Sequence, residues 1–184
     1  MKRKYRLVLL CSMIVFLQAW AQEGAGRNPN APAETAQLDW MIGEWDLVSK
    51  NKMQDGSYFT HKATSTVYYV LDGYAIMDDF RALDDKGNAT FRGTSFRTFD
   101  PRAKKWSIKW VMAGEPGMTD IVAEMKDGKL VMEGKGYDGY GKFLERAEYY
   151  DLSDDHYSFR LARSYDGGTT WIEDLNLIEA TKKK

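Results

Sequence analysis

The sequence predicts an all-β fold, an antiparallel up-and-down β-barrel of about ten strands with a short helix at its N-terminal side. Apolar and polar residues alternate with a period of two along most of the chain, which is typical of half-buried strands. Turn-forming pairs, most of them Asp-Gly, separate these stretches at regular intervals, as they do in hairpins. Evenly spaced short strands form either a sandwich or a barrel. We favour the barrel because about ten strands can close on themselves and so remove exposed edges.

The N-terminal residues 1–21 have the pattern of a secretory signal peptide. A basic start is followed by an apolar run from Leu7 to Leu17 and by the small-residue cleavage pattern Ala19-Trp20-Ala21. We therefore expect cleavage before Gln22. A membrane anchor is the alternative, but it needs about 20 apolar residues, more than this run offers. The protein is expected to be exported, periplasmic or secreted, without a membrane anchor after signal cleavage.

The composition of the expected mature chain, residues 22–184, excludes several classes of function. It carries 22 basic and 27 acidic residues, a formal charge of −5, because four of the 26 basic residues lie in the signal. This balance argues against a nucleic-acid partner, which would require a basic face. The single cysteine, Cys11, lies inside the signal, and Leu10 before it is not the small residue of a lipid-anchored precursor. The mature chain therefore has no disulfide, thiolate nucleophile or cysteine metal ligand.

The elements of the mature chain follow from composition and turn chemistry. Residues 22–35 are small, polar and proline-containing, and predict a flexible leader. The stretch from Glu34 to Ile42 predicts one short helix that Gly43 ends. Residues 36–181 then form the barrel domain. The predicted strands lie near 43–52, 57–71, 73–84, 89–99, 104–113, 118–126, 129–137, 142–151, 156–165 and 170–180.

The stretch SYDGGTTW at residues 164–171 is a recognisable motif near the C-terminal end of the chain. It matches the Asp-box repeated in sialidase propellers, but a propeller needs several blades of four strands each, and one copy in this chain cannot build them. We interpret it as a hairpin turn. The Asp166 carboxylate accepts backbone N–H groups, Gly167 and Gly168 take unusual φ angles, and Trp171 packs beneath.

A family resemblance supports the barrel. Gly43-Glu44-Trp45, directly after a short helix, resembles the G-x-W motif of the lipocalins and the wider calycin group. The ordered set LDWMIGEWDL, VLDGYAIMDDF and FRGTSFRTFDPRAKKWSIKWV resembles a family of uncharacterised bacterial proteins with a lipocalin-like barrel. The resemblance implies that Trp45 closes one end of the barrel beneath the helix, and that Arg160 or Arg163 stacks on it. Ten strands are closer to the fatty-acid-binding and nitrobindin-like barrels of that group.

The strand pattern also predicts which residues face the interior. Alternation places large apolar side chains there together with polar ones that a dry core would avoid, because burying an unpaired charge is costly. A cavity that binds a small apolar or amphipathic molecule explains both. The candidate ligand-binding residues are Trp45, His61, Arg97, Trp106, Trp110, Glu145 and Arg163. Two alternatives stay open for Trp106 and Trp110, a ligand-stacking wall or ordinary barrel core.

Two other functional classes remain possible from the sequence. A barrel-cavity enzyme, an isomerase, cyclase or hydrolase of lipid-like substrates, would use His61 or an inward Asp78 or Asp79 as base. Adjacent strand residues point to opposite faces, so Asp78 and Asp79 cannot act together on one substrate. A non-catalytic envelope interaction module would instead have a filled interior and an exposed apolar patch.

No cofactor or metal is expected. The chain has two histidines, His61 and His156, and a zinc site needs three or four ligands. The haem histidine of nitrobindin-like barrels lies near the C-terminus, where the last predicted strand has none. The identity of the ligand and the oligomeric state do not follow from the sequence.

Overall fold

The computed structural model describes residues 26–115 and 117–184, so the predicted signal peptide and Cys11 lie outside the described residues. One 3₁₀ helix and ten strands make up the described chain. The helix spans Ala33–Met41. The strands are β1 (Gly43–Lys52), β2 (Tyr58–Val70), β3 (Ala75–Leu83), β4 (Ala89–Asp100), β5 (Lys105–Met112), β6 (Thr119–Lys126), β7 (Lys129–Asp138), β8 (Gly141–Tyr150), β9 (His156–Ser164) and β10 (Ile172–Lys182).

The ten strands form a closed antiparallel barrel, as predicted. Each strand pairs with its sequence neighbours, and β1 pairs with β10 to close the ring. The residue Trp45 shows the closure, because it is the register partner of Ser65 on β2 and of Lys182 on β10. Closure satisfies the backbone groups of every strand edge and excludes the sandwich alternative.

The Asp127-Gly128 turn acts as the sequence predicts, whereas neither residue of Asp138-Gly139 has a positive φ. The turn between β6 and β7 has only two residues, Asp127 with φ of 50° and Gly128 with φ of 75°. Positive φ at both central positions matches the right-handed twist of the flanking strands.

The helix covers one end of the barrel, which we call the floor. The Trp45 ring is fully buried there, and its Nε1 donates a hydrogen bond to the Met41 carbonyl oxygen at 2.9 Å. The ring also lies edge-on against Tyr157, with centroids 4.7 Å apart. Trp106 is buried under the same helix and donates from Nε1 to Gln37 Oε1 at 3.1 Å. The floor is therefore the packed core of the protein.

The cation over Trp45 is not the one that the resemblance implied. The Lys182 ammonium, at the end of β10, lies 5.2 Å from the centre of the Trp45 ring. Arg160 instead pairs with Glu148, and Arg163 pairs with Glu145. The expectation that Arg160 or Arg163 stacks on Trp45 is wrong, because ring closure makes Lys182 the register partner of Trp45.

Residues 26–32, at the end of the predicted leader, lie against the β2–β3 turn. Asn28 donates from its backbone nitrogen to the Gly73 oxygen at 3.1 Å and from Nδ2 to the Asp72 oxygen at 2.9 Å. Gly73 has a φ of 85°, and a Cβ there would lie 2.3 Å from the Gly26 oxygen. A glycine is required at this contact.

The SYDGGTTW stretch is a hairpin turn between β9 and β10, as predicted. Asp166 Oδ1 accepts hydrogen bonds from the Thr170 backbone nitrogen at 2.9 Å and from Ser164 Oγ at 2.8 Å. The Thr170 hydroxyl also donates to Asp166 Oδ2 at 2.6 Å. These hydrogen bonds, with that of the Thr170 hydroxyl as the largest cause, lower the pKa of Asp166 to about 2. Gly167 and Gly168 have φ angles of 72° and 94°. The register of β10 with β9 then shifts by two residues between Ile172 and Asn176.

Candidate ligand-binding cavity

The half of the barrel farthest from the helix encloses a cavity of about 610 Å³. It reaches the end formed by the β1–β2 and β3–β4 turns, which we call the mouth. Phe59, 58% exposed, stands at the mouth together with Leu83 and Met112. A smaller cleft of about 300 Å³ lies on the outer wall near Arg146, Arg160 and Glu173, away from the barrel interior. The interior cavity is therefore the candidate site.

One side of the cavity, contributed by β3, β4 and β5, is aromatic. Phe80 lies edge-on to Phe91 and to Trp110, with centroid distances of 6.0 and 6.2 Å. Gly93 makes room for the indole, because a Cβ at that position would lie 2.3 Å from Trp110 Cζ2. We call Phe80, Phe91 and Trp110 the aromatic wall.

The opposite side of the cavity, contributed by β8, β9, β10 and β1, carries polar groups. In the ring of ten strands, each of β3, β4 and β5 lies five strands away from β8, β9 and β10, respectively. The two sets of strands therefore face each other across the barrel. The polar groups are Glu145, Arg163, Asn176 and Ser49, which we call the polar wall. Asn176 Nδ2 donates to Ser49 Oγ at 3.0 Å, which fixes its orientation.

The charges of the polar wall form a connected cluster. Arg163 donates to Glu145 Oε2 at 3.0 Å and to Asp138 Oδ2 at 2.9 Å, and the Tyr165 hydroxyl also donates to Asp138 at 2.8 Å. The guanidinium carbon of Arg163 lies 3.8 Å from the centre of the Phe143 ring. Burial raises the pKa of Glu145, and Arg163 offsets this only in part. One guanidinium is thus shared between two carboxylates.

A second ion pair lies deeper, on β3 and β4. Asp78 Oδ1 accepts from the Ser95 backbone nitrogen at 2.6 Å and from Ser95 Oγ at 2.5 Å. Arg97 Nη1 lies 3.5 Å from the same oxygen, outside hydrogen-bond geometry. Burial by itself would lower the pKa of Arg97, but Asp78 and Tyr149 together outweigh it and leave that pKa raised. The outward neighbour, Asp79, pairs with Arg81 on the exposed face, so the two aspartates do point apart.

His61 lines the cavity near the mouth. Its ring stacks on Phe59, with centroids 5.5 Å apart and planes at 21°. Burial lowers the pKa of His61, and its Nδ1 has no hydrogen-bond partner among the described residues. The second histidine, His156, lies at the start of β9 near Glu179, outside the cavity.

The structure brings together five of the seven residues that the sequence singled out. His61, Arg97, Trp110, Glu145 and Arg163 all line the cavity. Trp45 and Trp106 face inward as well, but they are buried at the floor and are not among the cavity residues. The two tryptophans of β5 therefore have different surroundings: Trp110 lies in the wall of the cavity, and Trp106 lies in the core. A role in ligand contact stays a prediction for all five.

Sequence reasoning missed several cavity residues. Phe80 and Phe91 lie on the inward faces of predicted strands, so alternation contained the signal for both. Asn176 lies on the same face of β10 as Ile178, which also lines the cavity, so alternation contained a signal for it as well. The contact of Asp138 with Arg163 joins two residues that are neither sequence neighbours nor register partners.

Two further properties concern the described residues only. Within residues 26–115 and 117–184, no three side chains of His, Cys, Asp or Glu are grouped to hold a metal ion. The same segments contain no helix with the length and apolar character that a membrane crossing requires.

Fold and site together define a closed ten-stranded β-barrel with an internal cavity. No known family model and no curated protein matches the chain. Among solved structures, the chain is similar to the crystal structure of Rv2717c from M. tuberculosis, with a TM-score of 0.61 and 13% sequence identity. The match covers 84% of this chain and 100% of the other. At this identity the likeness concerns the fold alone.

Proposed function

We propose that the protein binds a small, amphipathic and mostly apolar molecule inside the barrel. The observation that carries the proposal is the cavity of about 610 Å³, with an aromatic wall facing a polar wall. This volume lies within the roughly 300–1,000 Å³ of typical small-molecule sites. The aromatic wall would bury the apolar face of the ligand, and the polar wall would orient its polar groups.

The same geometry favours binding over the two alternatives. An interaction module would use a filled interior, whereas this interior is hollow on the mouth side. A cavity enzyme would need a free and oriented base. Asp78 is engaged by Ser95 and Arg97. His61 is stacked on Phe59, and within residues 26–115 and 117–184 its Nδ1 has no hydrogen-bond partner that would orient it as a base.

A dye-binding experiment tests the proposal. N-phenyl-1-naphthylamine, a neutral dye that fluoresces in apolar surroundings, is titrated with the protein. Ala82 is buried and lines the cavity, whereas Ala103 lies exposed in the β4–β5 turn at the floor. We expect Ala82→Trp to weaken dye binding about tenfold or more, because the added ring occupies the cavity, and Ala103→Trp to leave binding unchanged. Equal binding by a folded Ala82→Trp variant would argue that the dye binds elsewhere.

Native mass spectrometry of the protein from its own host tests the proposal without a chosen probe. We expect a mass in excess of the polypeptide that is lost on denaturation. A polypeptide mass alone, combined with no dye binding, would remove the proposal.

We also propose that the protein is exported, on the strength of the basic start, apolar run and cleavage pattern of residues 1–21. Sequencing the N-terminus of the protein from its host tests this. We expect the mature chain to begin at Gln22, and a chain that retains residues 1–21 would contradict export by cleavage.

A further inference from the structure

The deep end of the cavity contains a cation whose hydrogen bonds are incomplete. Arg97 lines the cavity and is only 3% exposed. Its Nε and Nη1 have no hydrogen-bond partner among the described residues. Buried N–H groups without acceptors are costly, and each one in a native structure calls for an explanation. A ligand atom that accepts from Arg97 would supply what the protein does not.

The nearby carboxylate does not fill this role because its own bonding is directed elsewhere. Asp78 Oδ1 takes both hydrogen bonds from Ser95, which hold the carboxylate 3.5 Å from Arg97 Nη1. Asp78 therefore balances the charge of Arg97, and Tyr149 also interacts with the guanidinium, but Nε and Nη1 remain without a hydrogen-bond partner among the described residues. The missing group is an acceptor rather than a charge.

The charges around the cavity argue against an anionic ligand. The positive charge of Arg97 faces Asp78, and that of Arg163 faces both Glu145 and Asp138. No cation of the cavity is left without a counter-charge. A ligand carboxylate would lose its hydration and meet an interior in which two guanidiniums already face three carboxylates, which is unfavourable.

The surroundings of Arg97 also define what lies next to the acceptor. Ile108 on β5 is the register partner of Arg97, and Trp110 follows two residues nearer the mouth on the same face. A ligand whose acceptor atom binds Arg97 would thus place its apolar body against the aromatic wall.

We propose, resting on the ligand-binding function above, that the natural ligand is uncharged and places a carbonyl-type oxygen against Arg97. Its flat, apolar body lies along the aromatic wall. In this proposal Arg97 recognises a neutral hydrogen-bond acceptor. Ketones, aldehydes, esters and quinones carry such an acceptor, whereas an ionised fatty acid does not.

Three probes of one shape test the inference by displacement of N-phenyl-1-naphthylamine. They are 2-ethylnaphthalene, which has no acceptor, 2-acetylnaphthalene, which has a neutral one, and 2-naphthoate, which has a charged one. A hydrogen bond to a charged group corresponds to about a tenfold gain in affinity or more. We expect the ketone to bind about tenfold or more tightly than the hydrocarbon, and the carboxylate to bind more weakly than the ketone.

Variants connect this preference to one side chain. Arg97→Met should reduce the affinity for the ketone to that for the hydrocarbon. Because a lone Asp78 carboxylate in the interior endangers folding, Asp78→Asn/Arg97→Met is the second variant, which keeps the Oδ1 acceptor for Ser95. The matched control is Arg160→Met, since Arg160 lies exposed on the outer face of β9 and pairs with Glu148. The control should keep the full ketone preference.

The outcomes separate the two proposals. Equal binding of ketone and hydrocarbon, tightest binding of the carboxylate, or a ketone preference that survives without Arg97 would each overturn the inference and leave the binding function standing. If none of the three probes displaces the dye and the dye itself does not bind, the proposed function fails and the inference fails with it.

Discussion

The buried pair of Asp78 and Arg97 is expected to cost the protein stability, and a double-mutant cycle measures that cost. Both side chains are nearly inaccessible, 10% and 4% exposed, and the pair is in contact at 3.5 Å without a hydrogen bond. Removing one partner of a buried pair leaves an uncompensated charge, which destabilises by about 3–5 kcal/mol. Arg97→Met and Asp78→Asn should each lower the free energy of unfolding by an amount of this order.

The double variant should behave differently from the sum of the two. Asp78→Asn/Arg97→Met removes both charges and also the unpaired Nε and Nη1 groups, each of which costs about 1–3 kcal/mol. It retains an oxygen for the hydrogen bonds from Ser95. Replacing a whole buried pair is often neutral or stabilising. We therefore expect the double variant to be at least as stable as the natural protein.

Urea unfolding at pH 7, followed by circular dichroism and tryptophan fluorescence, measures these free energies, provided the denaturant slope stays constant. Lys109 and Asp120 form an exposed pair on β5 and β6 and serve as control. Lys109→Gln/Asp120→Asn should leave the free energy of unfolding nearly unchanged, because solvent screens an exposed pair. A double variant of Asp78 and Arg97 whose loss equals the sum of the single losses would refute the reasoning, since each side chain would then stabilise the fold independently.

Three further outcomes are expected. Gly93→Ala should lower the free energy of unfolding in urea by about 1–3 kcal/mol, because the added Cβ meets the Trp110 ring. Gly139→Ala is the control and should leave the free energy of unfolding unchanged, since no atom lies within 4 Å of a Cβ there. Equal losses in the two variants would contradict this packing. In thermal unfolding, the natural protein should be more stable than Asp166→Asn, because the pKa of Asp166 is lowered from its ordinary 3.8 to about 2. This difference in stability should be complete above pH 4 and shrink as the pH falls towards 2. A difference that stays constant down to pH 2 would contradict the role of the ionised carboxylate. The ring protons of His61 should titrate in NMR with a midpoint below 6.5, because burial lowers the pKa of His61. A midpoint above 6.5 would contradict this, since it would mean that a nearby negative charge outweighs burial.

The sequence predicted the barrel and the inward faces because both depend on local patterns. His61, Arg97, Glu145 and Arg163 all line the cavity, since alternation within a strand is exact unless a bulge interrupts it. The Asp166 turn was predicted for the same reason, as its hydrogen bonds span only a few residues.

Depth along the barrel axis was not predictable in this way. Trp106 and Trp110 share one face of β5, yet one is buried under the helix and the other borders the cavity. Alternation defines the face of a side chain and carries no information about which end of the barrel a helix covers.

Side-chain contacts between strands that are not hairpin partners could not be predicted from the sequence either. Lys182 reaches Trp45 only because the first and last strands are register partners, and the alternation of neither strand indicates that pairing. Arg163 finds Asp138 on a strand that is not its neighbour in the ring. These contacts depend on the final registers of several strands at once.

The pairing of β1 with β10 has a consequence for biosynthesis. The strand made first cannot complete its backbone hydrogen bonds until the strand made last, ending at Lys182, has left the ribosome. Until then the growing chain has two unpaired borders, which attract other chains. Loss of residues 172–184, which include all of β10, would leave β1 and β9 permanently in that condition, so a truncated product should aggregate rather than fold into a smaller cylinder.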